Sequence, residues 1–237
     1  MDEAKVVRRM RSVRSFVRRE GRITAAQARA LSALSDRYGV PISDSPLNLP
    51  GLFGRLAPCH LEIGCGNGDC LLALARAHPE NNYLGIEVHR PGIGSMFLRA
   101  ARDDLRNLRV LNRDALEALP YQIPVASMEC IYLFFPDPWP KKRHHKRRVV
   151  QPEFVWALWQ RLSAHGRLFI GTDSEDYAGH IAAVMEDCPG FANLAAPARW
   201  APRPAWRPLT RYERHALRSG RAIRDLAYGC IEPGLRQ

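Results

Sequence analysis

Short apolar runs alternate with longer amphipathic stretches through most of the chain. Runs of four to six residues at Cys59–Ile63, Tyr83–Val88, Leu108–Leu111, Cys130–Phe135 and Leu168–Gly171 predict strands. Between them, spaced apolar positions predict helices near Asp69–Ala77, Ile93–Leu105, Pro152–Ser163 and Glu175–Met185. Runs this apolar need cover on both faces, and helices laid on either side of a largely parallel sheet supply it. The expected fold is an α/β doubly wound domain, whose ligands bind in the loops that follow the carboxyl ends of the strands. Before Cys59 the pattern breaks. The arm through Arg22 is basic, Gln27–Leu34 predicts a short helix, and Pro41–Leu56 is a connector rich in Pro, Gly and Ser. The expected division is a basic extension and connector over residues 1–55 and the α/β domain over 56–237.

Composition narrows the class. With 46% hydrophobic and 25% charged residues in 237, the chain is globular in composition, which excludes wholesale disorder. No apolar run approaches the roughly 18 residues of a membrane span; Ile131–Phe135 is among the longest. The N-terminus lacks the apolar core and cleavage site of a secretion signal, although its arginine-rich, acid-poor start shares the composition of organellar transit peptides. Six scattered cysteines (Cys59, Cys65, Cys70, Cys130, Cys188, Cys230) form no Cys-x-x-Cys pair, as expected of reduced thiols in a cytoplasm.

Charge changes the picture more. The net +11 comes from three segments: eight basic residues in Lys5–Arg22, six in Lys141–Arg148 and eight in Arg199–Arg224, opposed only by Glu20 and Glu213. Without them the chain has 13 cations against 22 acids. Segregation of this kind predicts a polyanion footprint, a solvated basic face being the plain alternative.

Leu61-Glu62-Ile63-Gly64-Cys65-Gly66-Asn67-Gly68 follows the first long strand and opens a helix. Gly64, Gly66 and Gly68 allow a tight turn and let a ligand lie against bare backbone. Glu87 ends the next strand 23 residues past Gly64, where an acid accepts from ribose hydroxyls. Together they point to an adenosine-type cofactor. The Gly-x-Gly-x-Gly spacing and the carboxylate of Glu62 argue against a pyrophosphate and for a cationic ligand, which S-adenosylmethionine is. Asp114, after Leu108–Leu111, either accepts from the adenine amino group or caps a helix at Ala115–Leu119.

The strand ending at Phe135 leads into Pro136-Asp137-Pro138-Trp139-Pro140-Lys141-Lys142-Arg143-His144-His145-Lys146-Arg147-Arg148. Three prolines present Asp137 on a stiff backbone. An indole beside a cation cluster suits stacking on a base while phosphates are gripped; a surface Asp-Pro turn with a buried Trp is the bland reading. His144 and His145 are adjacent and no nearby ligand completes a set, so no metal is expected.

These stretches, with Gly85-Ile86-Glu87-Val88-His89, Asn107-Leu108-Arg109-Val110, Thr172-Asp173 and Thr210-Arg211-Tyr212-Glu213, resemble the bacterial tRNA (guanine-N7)-methyltransferases of the TrmB type over about residues 59–229. The Phe-Phe-Pro-Asp-Pro-Trp element with its basic run is the most specific match. The resemblance implies a Rossmann-like class I methyltransferase fold that transfers methyl from S-adenosylmethionine to N7 of a guanine in the tRNA variable loop. It implies that Glu62, Glu87, Asp114 and Asp137 contact the cofactor beside Gly64, Gly66 and Gly68, with Asp137 also catalytic. It makes Lys141, Asp173, Thr210, Arg211, Tyr212 and Glu213 substrate contacts, and Arg143, His144, His145, Lys146, Arg147 and Arg148 the RNA-binding run. Two positions depart from the family pattern: Arg211-Tyr212 stands for Lys-Phe, and Pro140 for a His or similar residue.

Guanine N7 carries a lone pair and no proton, so in-line attack on the sulfonium methyl requires placement rather than a general base. Asp137 is expected to orient the reactants, Asp173 and Glu213 to accept from guanine N1–H and its amino group, and Lys141 to donate to O6; Asp173 is alternatively a helix N-cap. Two other functions compete: an RNA-binding module that has lost its chemistry, and an S-adenosylmethionine methyltransferase with a non-tRNA acceptor. Both monomer and homodimer are compatible with the sequence.

Overall fold

The computed structural model describes residues 22–231, which divide into two compact units: 22–124 with 205–208, and 125–204 with 209–231. The expected basic arm before Arg22 lies outside the described residues.

The first unit carries four strands, β1 (Gly39–Val40), β2 (Cys59–Ile63), β3 (Asn82–Ile86) and β4 (Leu108–Leu111), in the order β1-β4-β3-β2 and all parallel. All five residues of β3 are buried, as a central parallel strand with helices over both faces requires. The helices are α1 (Ala25–Ala33), α2 (Ser35–Tyr38), α3 (Leu49–Phe53), α4 (Asp69–Ala77), α5 (Arg90–Arg102) and α6 (Ala115–Tyr121). Leu61, Leu71, Leu84 and Met96 are fully buried between sheet and helices, each worth roughly 1.5–3 kcal/mol of transfer free energy.

The described part of the extension is folded into this unit. Thr24 and Gln27 form a reciprocal capping box that starts α1, which packs on α5 through a 2.9 Å bond from Gln27 to Ser95. The two residues of β1 pair with Val110 and Leu111 of β4. The connector is pinned by Arg113, whose guanidinium bonds the Ser43 carbonyl at 2.6 Å and Asp44 at 2.7 Å. Within it, Asn48 caps the short α3, and left-handed Gly54 ends it.

The second unit carries β5 (Met128–Phe134), β6 (Leu162–Thr172), β7 (Phe191–Asn193) and β8 (Arg224–Cys230) in the order β5-β6-β8-β7. Only β5 and β6 are parallel; β8 runs antiparallel to both β6 and β7. A 3₁₀ helix spans Lys142–Arg147, and α7 (Pro152–Arg161), α8 (Glu175–Glu186) and α9 (Arg211–Arg218) complete the unit.

The expected strand and helix sequence is present, with Cys59–Ile63, Asp69–Ala77 and Leu108–Leu111 at their expected bounds. Helix α5 begins three residues earlier than expected, because His89 caps it and Pro91 fits the first turn. The β7–β8 ladder and α9 are additions. Asp173 does not cap α8; the cap is Ser174, whose hydroxyl accepts from Tyr177 N at 3.3 Å.

Candidate active site

In the first unit, parallel β2, β3 and β4 deliver the glycine loop, Glu87 and Asp114 to one edge. Gly64, Gly66 and Gly68 have φ of +71°, +55° and +76°, where only glycine sits without strain. A Cβ at Gly64 or Gly66 would meet nothing within 4 Å, whereas one at Gly68 would lie 2.6 Å from Met96 Cγ. The first two glycines therefore open a cradle, and the third lets α5 pack against the loop.

Glu87 and Glu62 flank that cradle. The Glu87 carboxylate accepts three backbone N–H groups: Gly66 at 2.6 Å, Val88 at 2.7 Å and His89 at 2.8 Å. It thus shapes the glycine loop. Glu62 is 4% exposed, and its Oε2 is buried without a hydrogen-bond partner. Burial first, then the nearby Glu87 and Asp69 carboxylates, push its carboxyl up to about 8, against a hydrogen bond from the Leu71 backbone. Asp114 caps α6, its Oδ1 accepting from Leu116 N at 3.0 Å; the expected capping role is present.

In the second unit, parallel β5 and β6 deliver the Pro136–Pro140 loop and Asp173 to one edge, and the start of antiparallel β8 brings the segment from α9 there. Thr172 pairs with Arg224 in the ladder, and Arg221 Nε donates to Asp173 at 2.8 Å. Asp137 is exposed, between two residues with left-handed backbone: Phe135 at φ +53° and Trp139 at φ +45°. Such conformations in bulky residues mark backbone held by its surroundings. Phe135 N donates to the Gly171 carbonyl at 2.7 Å, tying the start of the loop to β6.

The basic run does not behave as one unit. Lys141, Lys142, Arg143, Lys146 and Arg147 are exposed on and before the 3₁₀ helix. Arg147 lies over the Trp139 ring at 5.0 Å, and His144 meets the same ring edge-on at 5.8 Å. Partial burial and the neighbouring cations hold the His144 imidazole below its usual range. Arg148 departs from the expected RNA-binding run: it is 3% exposed, donates from Nε to the Pro138 carbonyl at 3.0 Å, and pairs with Asp176. A guanidinium so enclosed is engaged by its own chain and is not offered to phosphate.

Thr210 and Glu213 also differ from plain substrate contacts. The Thr210 hydroxyl caps α9, accepting from Glu213 N at 3.2 Å. Glu213 is fully buried, and its carboxylate accepts from Arg203 at 2.6 and 3.3 Å. Both fix the start of α9, which leaves Arg211 and Tyr212 exposed, Tyr212 at 68%. Among the described residues, no group of three or more His, Cys, Asp or Glu is placed to hold a metal, and no helix is long and apolar enough to cross a membrane.

Residues 56–226 match the family model described as "Putative methyltransferase". The tRNA (guanine-N(7)-)-methyltransferase of Aeromonas hydrophila is 48% identical over 219 residues, covering 92% of each chain. That of Alkalilimnicola ehrlichii is 50% identical over 220 residues, again covering 92% of each. The chain belongs to the tRNA (guanine-N(7)-)-methyltransferase family. Its fold extends to distant structures. The 16S rRNA methyltransferase KamB is 16% identical with a TM-score of 0.52, over 93% of this chain and 99% of that one. A 16S rRNA (adenine(1408)-N(1))-methyltransferase from Catenulisporales acidiphilia, solved with its cosubstrate SAM, is 15% identical with a TM-score of 0.53, over 78% and 91%.

The residues of this family member fit S-adenosylmethionine. A buried carboxyl with an unpartnered oxygen is costly by itself and is completed by a cation. Two left-handed glycines beside it leave room where any side chain would intrude. Sequence reasoning missed three residues that hold these parts: Arg203 behind Glu213, Asp176 behind Arg148, and Asp69, which adds to the charge at Glu62. For Asp176 a faint signal exists, an acid in the first turn of the helix after Thr172-Asp173-Ser174. Arg203 has none.

Proposed function

We propose that the chain methylates N7 of a guanine in the variable loop of tRNA, with S-adenosylmethionine as methyl donor. The cofactor supplies an electrophilic methyl group on a sulfonium. Glu62 provides the buried anionic partner for its positive charge, Glu87 accepts from the ribose while bracing the loop, and Gly64 and Gly66 admit it against the backbone. Asp114, with one oxygen engaged as a cap, serves the adenine edge.

The acceptor nitrogen needs no deprotonation, so the protein's task is alignment, which contributes roughly 7–11 kcal/mol when reactants are held near contact. Asp137, exposed on a stiff loop, is the acid that orients the reactants and stabilises charge as it moves from sulfur to the base. Lys141 donates to guanine O6 and Asp173 accepts from its N1–H and amino group, a pattern that adenine reverses. Glu213 acts behind them, holding the start of α9 through Arg203. Arg143, Lys146 and Arg147 meet RNA phosphates beside Trp139.

The observation that carries this reading is the unpartnered, buried Glu62 oxygen beside an open glycine cradle in a chain about 48% identical to tRNA (guanine-N(7)-)-methyltransferases. The test offers labelled S-adenosylmethionine with tRNA, ribosomal RNA or protein as acceptors. Filter-retained label on tRNA alone is expected; label on another acceptor, or none with cofactor bound, overturns the assignment.

A further inference from the structure

Arg148 is the last cation of a run that otherwise faces solvent, yet its guanidinium is enclosed on three sides. Nε donates to the carbonyl of Pro138, the residue after Asp137, at 3.0 Å. The far nitrogen pairs with Asp176 in the first turn of α8, and the guanidinium carbon lies 4.9 Å from the Tyr177 ring centroid. The Tyr177 hydroxyl in turn accepts from Val150 N at 3.3 Å, tying the chain just after Arg148 to the same helix.

We propose that Arg148 is a positioning residue for methyl transfer: it clamps the Pro138 carbonyl to helix α8 and so holds Asp137 in its working orientation. The inference rests on the proposed methylation of tRNA. The loop needs a clamp because Phe135 and Trp139, on either side of Asp137, both hold left-handed backbone that bulky residues leave when released. The Phe135 end is secured by its bond to Gly171, and Arg148 secures the other. Only a planar fork can donate to a carbonyl and a carboxylate at once while stacking on a ring. A lysine ammonium has three donors, but all sit on one nitrogen, so it does not reproduce the separated Nε and Nη contacts or lie flat against the ring.

The experiment measures kcat, KM for tRNA, salt dependence and S-adenosylmethionine affinity for R148K, D176A and the double variant, with Arg147→Ala beside them. R148K is expected to lower kcat about 10- to 100-fold, the scale of a misplaced catalytic group. KM for tRNA, its salt slope and cofactor Kd are expected to stay within about twofold. D176A is expected to lower kcat in the same sense, and the double variant to fall well short of the product of the two single losses. Arg147→Ala is expected to raise KM and flatten the salt slope by roughly 0.7–0.9. If R148K instead weakens tRNA binding and flattens the slope while kcat holds, Arg148 is a phosphate contact and the proposal is overturned. Should R148K fail to fold, D176A decides, since the Asp176 side chain is largely exposed and alanine leaves no acceptor there for Arg148: a reduced kcat with intact KM supports the clamp, and an unchanged kcat overturns it. Absence of tRNA methylation by the wild-type chain would instead overturn the proposed function.

Discussion

Glu62 in β2 and Glu87 just past β3 sit on neighbouring parallel strands, and their carboxylates meet opposite conditions. Glu87 accepts three backbone N–H groups, whereas Glu62 holds a buried oxygen that accepts none. One carboxylate builds the glycine loop and the other waits behind it. Under the proposed function the pair makes this strand-to-helix turn a site for a cation, because the first is satisfied without a ligand and the second is not.

Proton linkage at Glu62 follows. Its carboxyl is pushed up to about 8, mainly by burial. A cationic ligand favours the ionised form, so below that pH binding expels a proton, and affinity rises by up to about tenfold per pH unit as pH 8 is approached. Calorimetry in buffers of different ionisation enthalpy reads the released proton directly. In E62Q the release disappears and cofactor affinity falls at least tenfold; release that persists in E62Q assigns it to another group.

The same group shapes the stability of the ligand-free chain. A folded-state value raised from 4.5 to about 8 means that the contribution of Glu62 is complete below about 4.5 and is lost as pH climbs towards 8. E62Q stays neutral throughout. Its Tm, compared with wild type, is expected to gain from pH 5 to pH 8 by some 2–4 °C per kcal/mol recovered. A constant gap would mean that Glu62 is hydrated in solution.

Gly66 and Gly68 separate binding from folding. Both hold left-handed φ, so alanine at either costs roughly 1–2 kcal/mol in backbone strain. Gly68→Ala adds a collision with Met96 and is expected to show the larger loss of Tm. Gly66→Ala places its methyl in open space within the cradle, so its cofactor Kd is expected to rise tenfold or more beyond what the Tm change suggests. Equal effects of the two variants on Kd would refute the division of roles.

Asp137 is exposed and its neighbours hold the backbone, so its removal is expected to leave folding and tRNA affinity within a few-fold of wild type. Methyl transfer in single turnover is expected to fall at least about a hundredfold for Asp137→Ala. Near-normal turnover would remove Asp137 from the chemistry.

Under the proposed function, the exposed Arg143, Lys146 and Arg147 bind tRNA phosphates by counterion release. Replacing all three with alanine is expected to weaken tRNA binding and reduce the slope of log K against log salt by about 2. An unchanged slope would place the run off the phosphate path.

Much of this was legible in the residues. The parallel strands β2 to β5 and the end of β6 announce themselves through short apolar runs, whereas β6 begins six residues before the expected Leu168 because Ser163, His165 and Arg167 interrupt its pattern; the glycine loop with Glu62 and Glu87 carries its chemistry in its spacing. The β7–β8 ladder was not: Arg224–Cys230 is flanked by cations at one end and only partly buried at the other, so its pattern is weak. Within the basic run, Arg148 reads like Arg147 by composition; only the fold, by bringing α8 behind Pro138, separates a clamp from a phosphate contact. Glu213 is expected as a substrate contact through the family resemblance alone; its partner Arg203, ten residues away across a proline-rich turn, is one that no periodicity predicts.

Methyl transfer to one ring nitrogen of one nucleotide leaves a product that chemistry reads at single-nucleotide resolution. The direct measurement incubates unmodified tRNA with the purified chain and S-adenosylmethionine, then maps N7-methylguanine by base-cleavage chemistry against a control without enzyme. A single new cleavage at a guanine in the variable loop is expected. Methyl incorporation without any such cleavage, or cleavage scattered over many guanines, would contradict it.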